Sequence, residues 1–163
     1  MHYSYSCEWR RLVGEPVRRK TVTLFNRHGD NWYPTTFENV YFNTDRAKVV
    51  AMYGENSADR AILHVWFRHG GEGGKDAVAA NKTYLQPMQF KEVEDPENYF
   101  TFAAGEKFDF FIEGEWHGAQ VIKDNLYGIN GFYDYMNRRN DLVYAVTSCT
   151  RYDMLAHFEV TGK

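Results

Sequence analysis

The chain has 163 residues, 28 of them aromatic (12 Tyr, 12 Phe, 4 Trp), and a net charge of −3 at neutral pH. That length is one domain with a core that needs no covalent staple, and the aromatic load with sparse Leu and Ile suits pleated, half-buried surfaces rather than an all-helical fold. The acidic balance excludes a general nucleic-acid coat, which draws on clustered Lys and Arg, and no apolar run is long enough to span a membrane as a helix.

Residues 1–19 read as an N-terminal arm, with two basic clusters that carry Trp9, Arg10 and Arg11, then Arg18 and Arg19. The opening MHYSYSCEWRRLVGEP has neither an apolar signal core nor a small-residue cleavage site, so the expectation is a chain made and kept in a cytoplasm. Residues 20–163 form the domain. KTVTLFN (Lys20–Asn26) reads as a strand and Arg27–Asn31 as a hairpin turn around Gly29-Asp30. Trp32–Asn43 is extended again, with Pro34 favouring an edge. Ala47–Gly54 is a third strand and Glu55–Arg60 a turn; Ala61–Phe67 is a fourth strand, apolar on both faces except at His64.

A glycine-rich insertion follows, RHGGEGGKDAVAANK from Arg68 to Lys82. A phosphate-binding P-loop needs G-x-x-x-x-G-K-[ST]. Gly74-Lys75 supplies the G-K, but His69 stands at the first glycine and Asp76 at the hydroxyl, where a carboxylate would repel phosphate. The segment therefore reads as a long mobile loop, and loops of this length inside a compact domain are usually functional or disordered.

Thr83–Val93 is predicted to resume extended structure, broken by Pro87, and Asp95–Asn98 to turn or start a helix. Phe108–Trp116 alternates: Phe108, Phe110, Ile112 and Trp116 share one face, Asp109, Glu113 and Glu115 the other, with Phe111 the exception. This predicts a half-buried strand. Asn130–Asn140 fits one short helix, with Phe132, Tyr135 and Met136 at i, i+3, i+4. Asp141–Tyr152 and Ala156–Lys163 form a closing hairpin. The sum is a mainly β fold, a small β-barrel or sandwich of six to nine short strands with one short helix and a long Gly-rich loop.

The six histidines show no H-x-H or H-x₃-H pair. His64 and His69, five apart, are a weak match, so no metal ligand is assigned, although convergence in a small barrel stays open. Glu113 and Glu115, near His117, are the carboxylates a small hydrolase would use: strand neighbours at i, i+2 lie about 6.6–6.8 Å apart, within the range of about 5–9.5 Å for glycoside hydrolysis. A solvated strand face produces the same pattern. Ser148-Cys149 lies within a strand rather than on a nucleophile elbow, and Cys7 and Cys149 read as reduced thiols. Arginines beside aromatics in YDYMNRRND resemble a single-strand stacking platform, against which the acidity weighs. No catalytic constellation and no cofactor site emerges, and the expectation is a non-enzyme.

The order of the pieces carries a resemblance. TVTLFNRHGD…WYPTTFENVYF, then MYGENSADRAILHVWFR, the insertion, NYFTFAAGEKFDFFIEGEW, GINGFYDYMNRRNDLVYAVTSCTRYD and the closing AHFEVTGK resemble the small neck proteins of tailed bacteriophages and prophages of Gram-positive bacteria: minor capsid, head-tail connector or head-closure proteins. The resemblance covers roughly residues 20–163. It implies a β-barrel virion protein of the neck, present in the host cytoplasm before assembly. It implies a homo-oligomeric ring between portal or adaptor and tail proteins, non-specific proximity to double-stranded DNA and no membrane. In head-closure members a long loop projects into the channel, which makes Arg68, Gly70, Gly71, Gly73, Gly74, Lys75 and Lys82 the gating-loop candidates. Trp9, Arg10, Arg11, Arg18 and Arg19 are then the candidates for an arm that docks on a neighbouring ring protein. A modest net charge suits a pore that must not hold phosphates tightly. The rival readings are a small-ligand-binding β-barrel with aromatics lining a pocket and a hydrolase using Glu113, Glu115 and His117.

Overall fold

The computed structural model describes residues 19–44, 60–140 and 142–163. The predicted strand Ala47–Gly54 lies outside them, as do Trp9, Arg10, Arg11 and Arg18 of the arm; Arg19 is exposed at the start of the first strand.

Among the described residues eleven strands form two sheets. Strands β1 (Lys20–His28), β2 (Asn31–Asn43), β3 (Ala61–Trp66), β8 (Phe110–Glu113), β10 (Val143–Tyr152) and β11 (His157–Gly162) run in the order β1-β8-β10-β11-β3-β2, and β2 pairs back onto β1. The result is a closed six-stranded antiparallel barrel, with the short β9 (Ile122–Lys123) added to β2 at Trp32 and Asn31. Closure removes the open edges a flat sheet would expose.

One strand makes the closure. The first part of β2 pairs with β1, and its end (Tyr41–Asn43) pairs with β3. Between them the register slips, Lys20 facing Val40 while Val22 faces Phe37, and Asn39 takes a left-handed φ of 56°. Such a bulge bends and twists the strand, and Asn is among the side chains that best tolerate this backbone. Pro34 sits where β2 pairs with β1 on one side, between its contacts with β9 and β3 on the other. That is the edge-like position a residue without an N–H requires.

Alternation divides the side chains between two cores. Val22, Leu24, Phe42, Leu63, Val65, Phe111, Val146, Phe158 and Val160 fill the barrel. Gly162 is required there, because a Cβ at this position would lie 2.7 Å from the Phe111 ring and 2.8 Å from Tyr144. Phe25, Trp32, Phe110, Ile112, Ile122 and Val143 point outward and are covered by Phe132 and Met136 of helix α2 (Gly131–Arg139). The strand predicted to be half-buried is therefore buried on both faces: Phe111 points into the barrel and Phe110 under the helix. Asp109, expected on a solvated face, is 1% exposed.

The segment Arg68–Lys82 is not a loop. It folds as β4 (Arg68–Gly70), a 3-10 turn (Glu72–Gly74), β5 (Asp76–Ala79) and the start of β6 (Lys82–Tyr84), in a four-stranded sheet completed by β7 (Tyr99–Phe100). Ala77 is fully buried in the barrel's own core, beside Phe100 and Phe102, with Ala79 and Tyr84 packed against it. The Tyr84 ring lies 4.6 Å from that of Phe158, and Phe37 5.2 Å from Phe100, so this small sheet closes the end of the barrel at which β3 leaves. The small side chain of Ala77 lets the sheet lie close, while Gly71, Gly73 and Gly74 take left-handed backbone in the exposed turn. After β6 the predicted extended run Thr83–Val93 instead turns into helix α1 (Pro87–Phe90), with Pro87 in the first turn where no N–H is needed and Phe90 buried.

Among the described residues no helix is long and apolar enough to cross a membrane.

Candidate functional site

The gating-loop candidates separate once placed. Arg68 and Lys75 are exposed, and the turn Gly71–Gly74 forms the outer tip between β4 and β5. Gly71 has φ 70° and lies against the Asp76 carboxylate, which leaves no room for a side chain. The Lys75 carbonyl accepts a 2.9 Å hydrogen bond from Arg151, fixing the tip to β10. Lys82 turns the other way: its ammonium donates to the Pro34 carbonyl oxygen at 2.8 Å and to Thr35 Oγ1 at 2.9 Å. Burial holds Lys82 below the ordinary lysine range, against the raising influence of Glu97. It ties the sheet to the barrel.

Beside this sheet lies a groove of about 490 Å³, lined by Trp66, Phe67, His69, Val78, Met154 and Ala156 among others. Met154 is 95% exposed on its rim. A second group of exposed apolar side chains, Val121, Leu126 and Ile129, flanks β9 and the 3-10 turn Asp124–Tyr127 that precedes α2.

The hydrolase arrangement does not form. Strand β8 ends at Glu113, so Glu115 and His117 leave the strand alternation and are exposed, while Glu113 forms an ion pair with Lys20 at 2.9 Å. Cys149 packs against the barrel core, and burial pushes its thiol up to about 12, far from a nucleophilic thiolate.

A buried acid stands elsewhere. Asp109 lies at the bottom of a cavity of about 250 Å³ that Arg27, Lys91 and Lys107 also line. Its Oδ1 accepts from the Arg27 N–H at 2.9 Å, and its Oδ2 from Asn26 Nδ2 at 2.9 Å and the Ala103 N–H at 2.8 Å. Burial pushes the carboxyl up to about 7, in spite of these donors and of Lys91, which favour the charged form. With its oxygens committed to β1 and to the segment before β8, Asp109 is a tie between elements.

The barrel's outer face carries a cluster of potential metal ligands. Strands β3 and β11 pair antiparallel, with His64 opposite Glu159 and Trp66 opposite His157. Since Leu63, Val65, Phe158 and Val160 point inward, His64, His157 and Glu159 project outward together, and one ligating atom from each lies within 4.8 Å of the others. His64 is 1% exposed and His157 4%, while Glu159 is half-buried. The His157 Nδ1 is hydrogen-bonded to the Leu155 carbonyl oxygen. Rings surround the pair: Tyr41 stands edge-on to His64 at 5.2 Å, Tyr152 stacks on His157 at 4.9 Å, and Trp66 lies 5.1 Å from His157. Burial drives His64 down to about 3, with His157 acting in the same direction, and lowers His157 as well. Both imidazoles are therefore neutral at physiological pH. Local spacing hid this cluster, because its members lie 93 residues apart in the chain; the signals were His64 alone in an apolar strand and the H-x-E of β11. His69, the partner suggested by spacing, is exposed and contacts the Asp153 carbonyl oxygen instead.

Residues 17–163 match the family described as a family of unknown function, DUF6751, and the chain belongs to it. No curated protein and no solved structure matches the chain.

Proposed function

We propose that this member of the DUF6751 family is a non-enzymatic structural subunit of a phage neck, part of a homo-oligomeric ring that joins head to tail and closes or extends the DNA channel. The observation that carries the reading is the pair of separate apolar surface features on a closed barrel: the groove beside Met154 and the exposed Leu126 and Ile129. Different patches on one molecule make a head-to-tail contact, which generates a ring when the rotation closes. Aromatic and apolar residues at such patches suit an interface core. The barrel itself is filled by Leu24, Phe42, Phe111 and Phe158, so a channel would run along the ring axis, between subunits. The tip Gly71–Gly74, with Arg68 and Lys75 beside it, is then the element offered to the channel. Two cations per subunit lie within what passing DNA tolerates, since tight phosphate contacts would hold the duplex.

Deleting the gene in the phage or prophage that carries it, and viewing induced particles by electron microscopy, tests this. Separate tails beside heads that have lost their DNA are expected. Normal particles would overturn the reading. They would favour a small-ligand-binding barrel with the groove at Trp66 and Phe67 as its site, a reading that expects a monomer.

A further inference from the structure

We propose that His64, His157 and Glu159 bind a divalent transition-metal ion, zinc in the first instance, as a clamp between β3 and β11. The inference is independent of the neck reading and rests on the outer face of the barrel.

Three observations carry it. The donor set is two imidazole nitrogens and one carboxylate oxygen, a combination that suits Zn²⁺ and related ions and not Mg²⁺ or Ca²⁺, which prefer oxygen alone. The donors already converge: one ligating atom from each side chain lies within 4.8 Å of the others. Bonds of about 2.0–2.2 Å to a tetrahedral ion place ligand atoms about 3.3 Å apart, so the three must draw in by about 1.5 Å at most. The strands fix the approach, since Glu159 faces His64 directly in the antiparallel ladder and His157 is the same-face neighbour two residues away.

The second observation is the tautomer. His157 directs Nδ1 at the Leu155 carbonyl oxygen. A carbonyl oxygen only accepts, so Nδ1 carries the proton and Nε2 keeps its lone pair. Ligating histidines are held in this way, with the far nitrogen donating to a backbone carbonyl or carboxylate. The third is the surround. Tyr41, Trp66 and Tyr152 pack on the two rings, restrict their rotation and limit water, as an apolar shell does around a metal site. Each of the three ligands also carries a further interaction.

Three protein donors leave the fourth position of a tetrahedral ion to water, and the burial of both histidines restricts access to it. A clamp here ties the strand that leads into the appended sheet to the strand that ends the described chain.

The test uses the full chain, stripped with a chelator and then dialysed. Zn²⁺ is titrated by calorimetry at pH 7.5, and Co²⁺ is added separately to read the visible absorption that a four-coordinate site gives. One equivalent is expected to bind, with tetrahedral-type Co²⁺ bands that Zn²⁺ abolishes. Glu159→Gln, a mild change at a half-buried position, is expected to weaken Zn²⁺ binding by at least about tenfold, and His157→Gln by about a hundredfold or more. A rise in Tm with Zn²⁺ is expected in the parent chain, by mass action on the folded state, and a smaller rise in Glu159→Gln. Circular dichroism establishes that each variant is folded; if His157→Gln is not, Glu159→Gln decides alone. Absence of stoichiometric binding, or binding unaltered in folded Glu159→Gln, overturns the proposal.

Discussion

Lys82 donates its ammonium to the Pro34 carbonyl oxygen at 2.8 Å, across 48 residues of chain, and by this contact the appended sheet is fastened to β2 at the gap between its pairings with β9 and β3. The Pro34 carbonyl would otherwise face that gap, and Thr35 Oγ1 shares the same ammonium. Replacing Lys82 by Met keeps the aliphatic stem and removes both hydrogen bonds. Hydrogen bonds from charged groups are worth about 1.5–3 kcal/mol when buried; at this half-buried site solvent screening reduces that to about 1–2 kcal/mol. Urea denaturation of Lys82→Met should show a lower midpoint at unchanged slope. No shift in midpoint would mean that apolar packing alone holds the sheet.

Asp109 makes stability depend on pH in an unusual direction. Its carboxyl is raised from 3.8 to about 7 in the fold. Between these values the native state holds a proton that the unfolded chain has released, so this group's contribution falls as pH rises through the window and is level above about 7. Each pH unit in that window carries about 1.4 kcal/mol, which bounds the effect at about 4 kcal/mol. Asp109→Asn cannot titrate. Subtracting its stability profile from that of the parent chain isolates the term: the difference should fall from pH 4 to pH 7. A difference that rises over the same window would show that the N–H groups of Arg27 and Ala103 outweigh burial.

The strand content, the hairpin at Gly29-Asp30, helix α2 and the closing hairpin were legible because each is written in local alternation or period. Phe132 and Met136 at i, i+4 mark the helix face, and both are buried. What misled was a pattern with two local readings. Phe111 looked like an error in alternation because a strand covered on both faces has no polar side. Glycine and alanine between Gly70 and Ala80 looked like loop material. The glycines do serve a turn, Gly71, Gly73 and Gly74 taking φ of 70°, 68° and 67° at the exposed tip, but for Ala77 the reason is tertiary: the β5 backbone approaches the barrel closely, and Ala77 has no exposed surface. The His64–His157–Glu159 cluster was only half legible: the H-x-E of β11 puts His157 and Glu159 on one face, but strand register, not sequence spacing, brings His64 to them.

That tertiary role changes what a loop deletion should do. Loop length costs stability only slowly when the removed residues are free, but deleting residues 70–80 removes β5, the centre of the pairing β4-β5-β6. The deletion is therefore expected to abolish cooperative unfolding or to leave the chain insoluble. Lys75→Glu, at the exposed tip, should leave Tm within about 1–2 °C of the parent, as surface substitutions usually do. Thermal melts followed by circular dichroism compare the two. A cooperative melt for the deletion would return the segment to the status of a dispensable loop. The charge reversal, folded and assembled into particles, is the cleaner probe of a channel role.

Asp124 makes the sharpest prediction about how α2 is held. One oxygen, Oδ1, accepts from the Trp32 indole N–H at 2.8 Å and from the Phe132 backbone N–H at 2.8 Å, so a single atom joins β2 to the first turn of the helix. The Arg27 guanidinium lies farther off, 3.7 Å from Oδ2, as an exposed and weaker partner. The negative charge also complements the helix N-terminus, where it is worth some tenths of a kcal/mol. Asp124→Ala leaves two donors unsatisfied in a buried aromatic setting, at about 1–3 kcal/mol each, and should destabilise by about 2–4 kcal/mol. Asp124→Asn keeps an acceptor at Oδ1 and loses only the charge and the Arg27 contact, and should cost about 1 kcal/mol or less. Urea titrations followed by tryptophan fluorescence separate the two. Equal costs for the two variants would show that charge, rather than the shared acceptor atom, seats the helix.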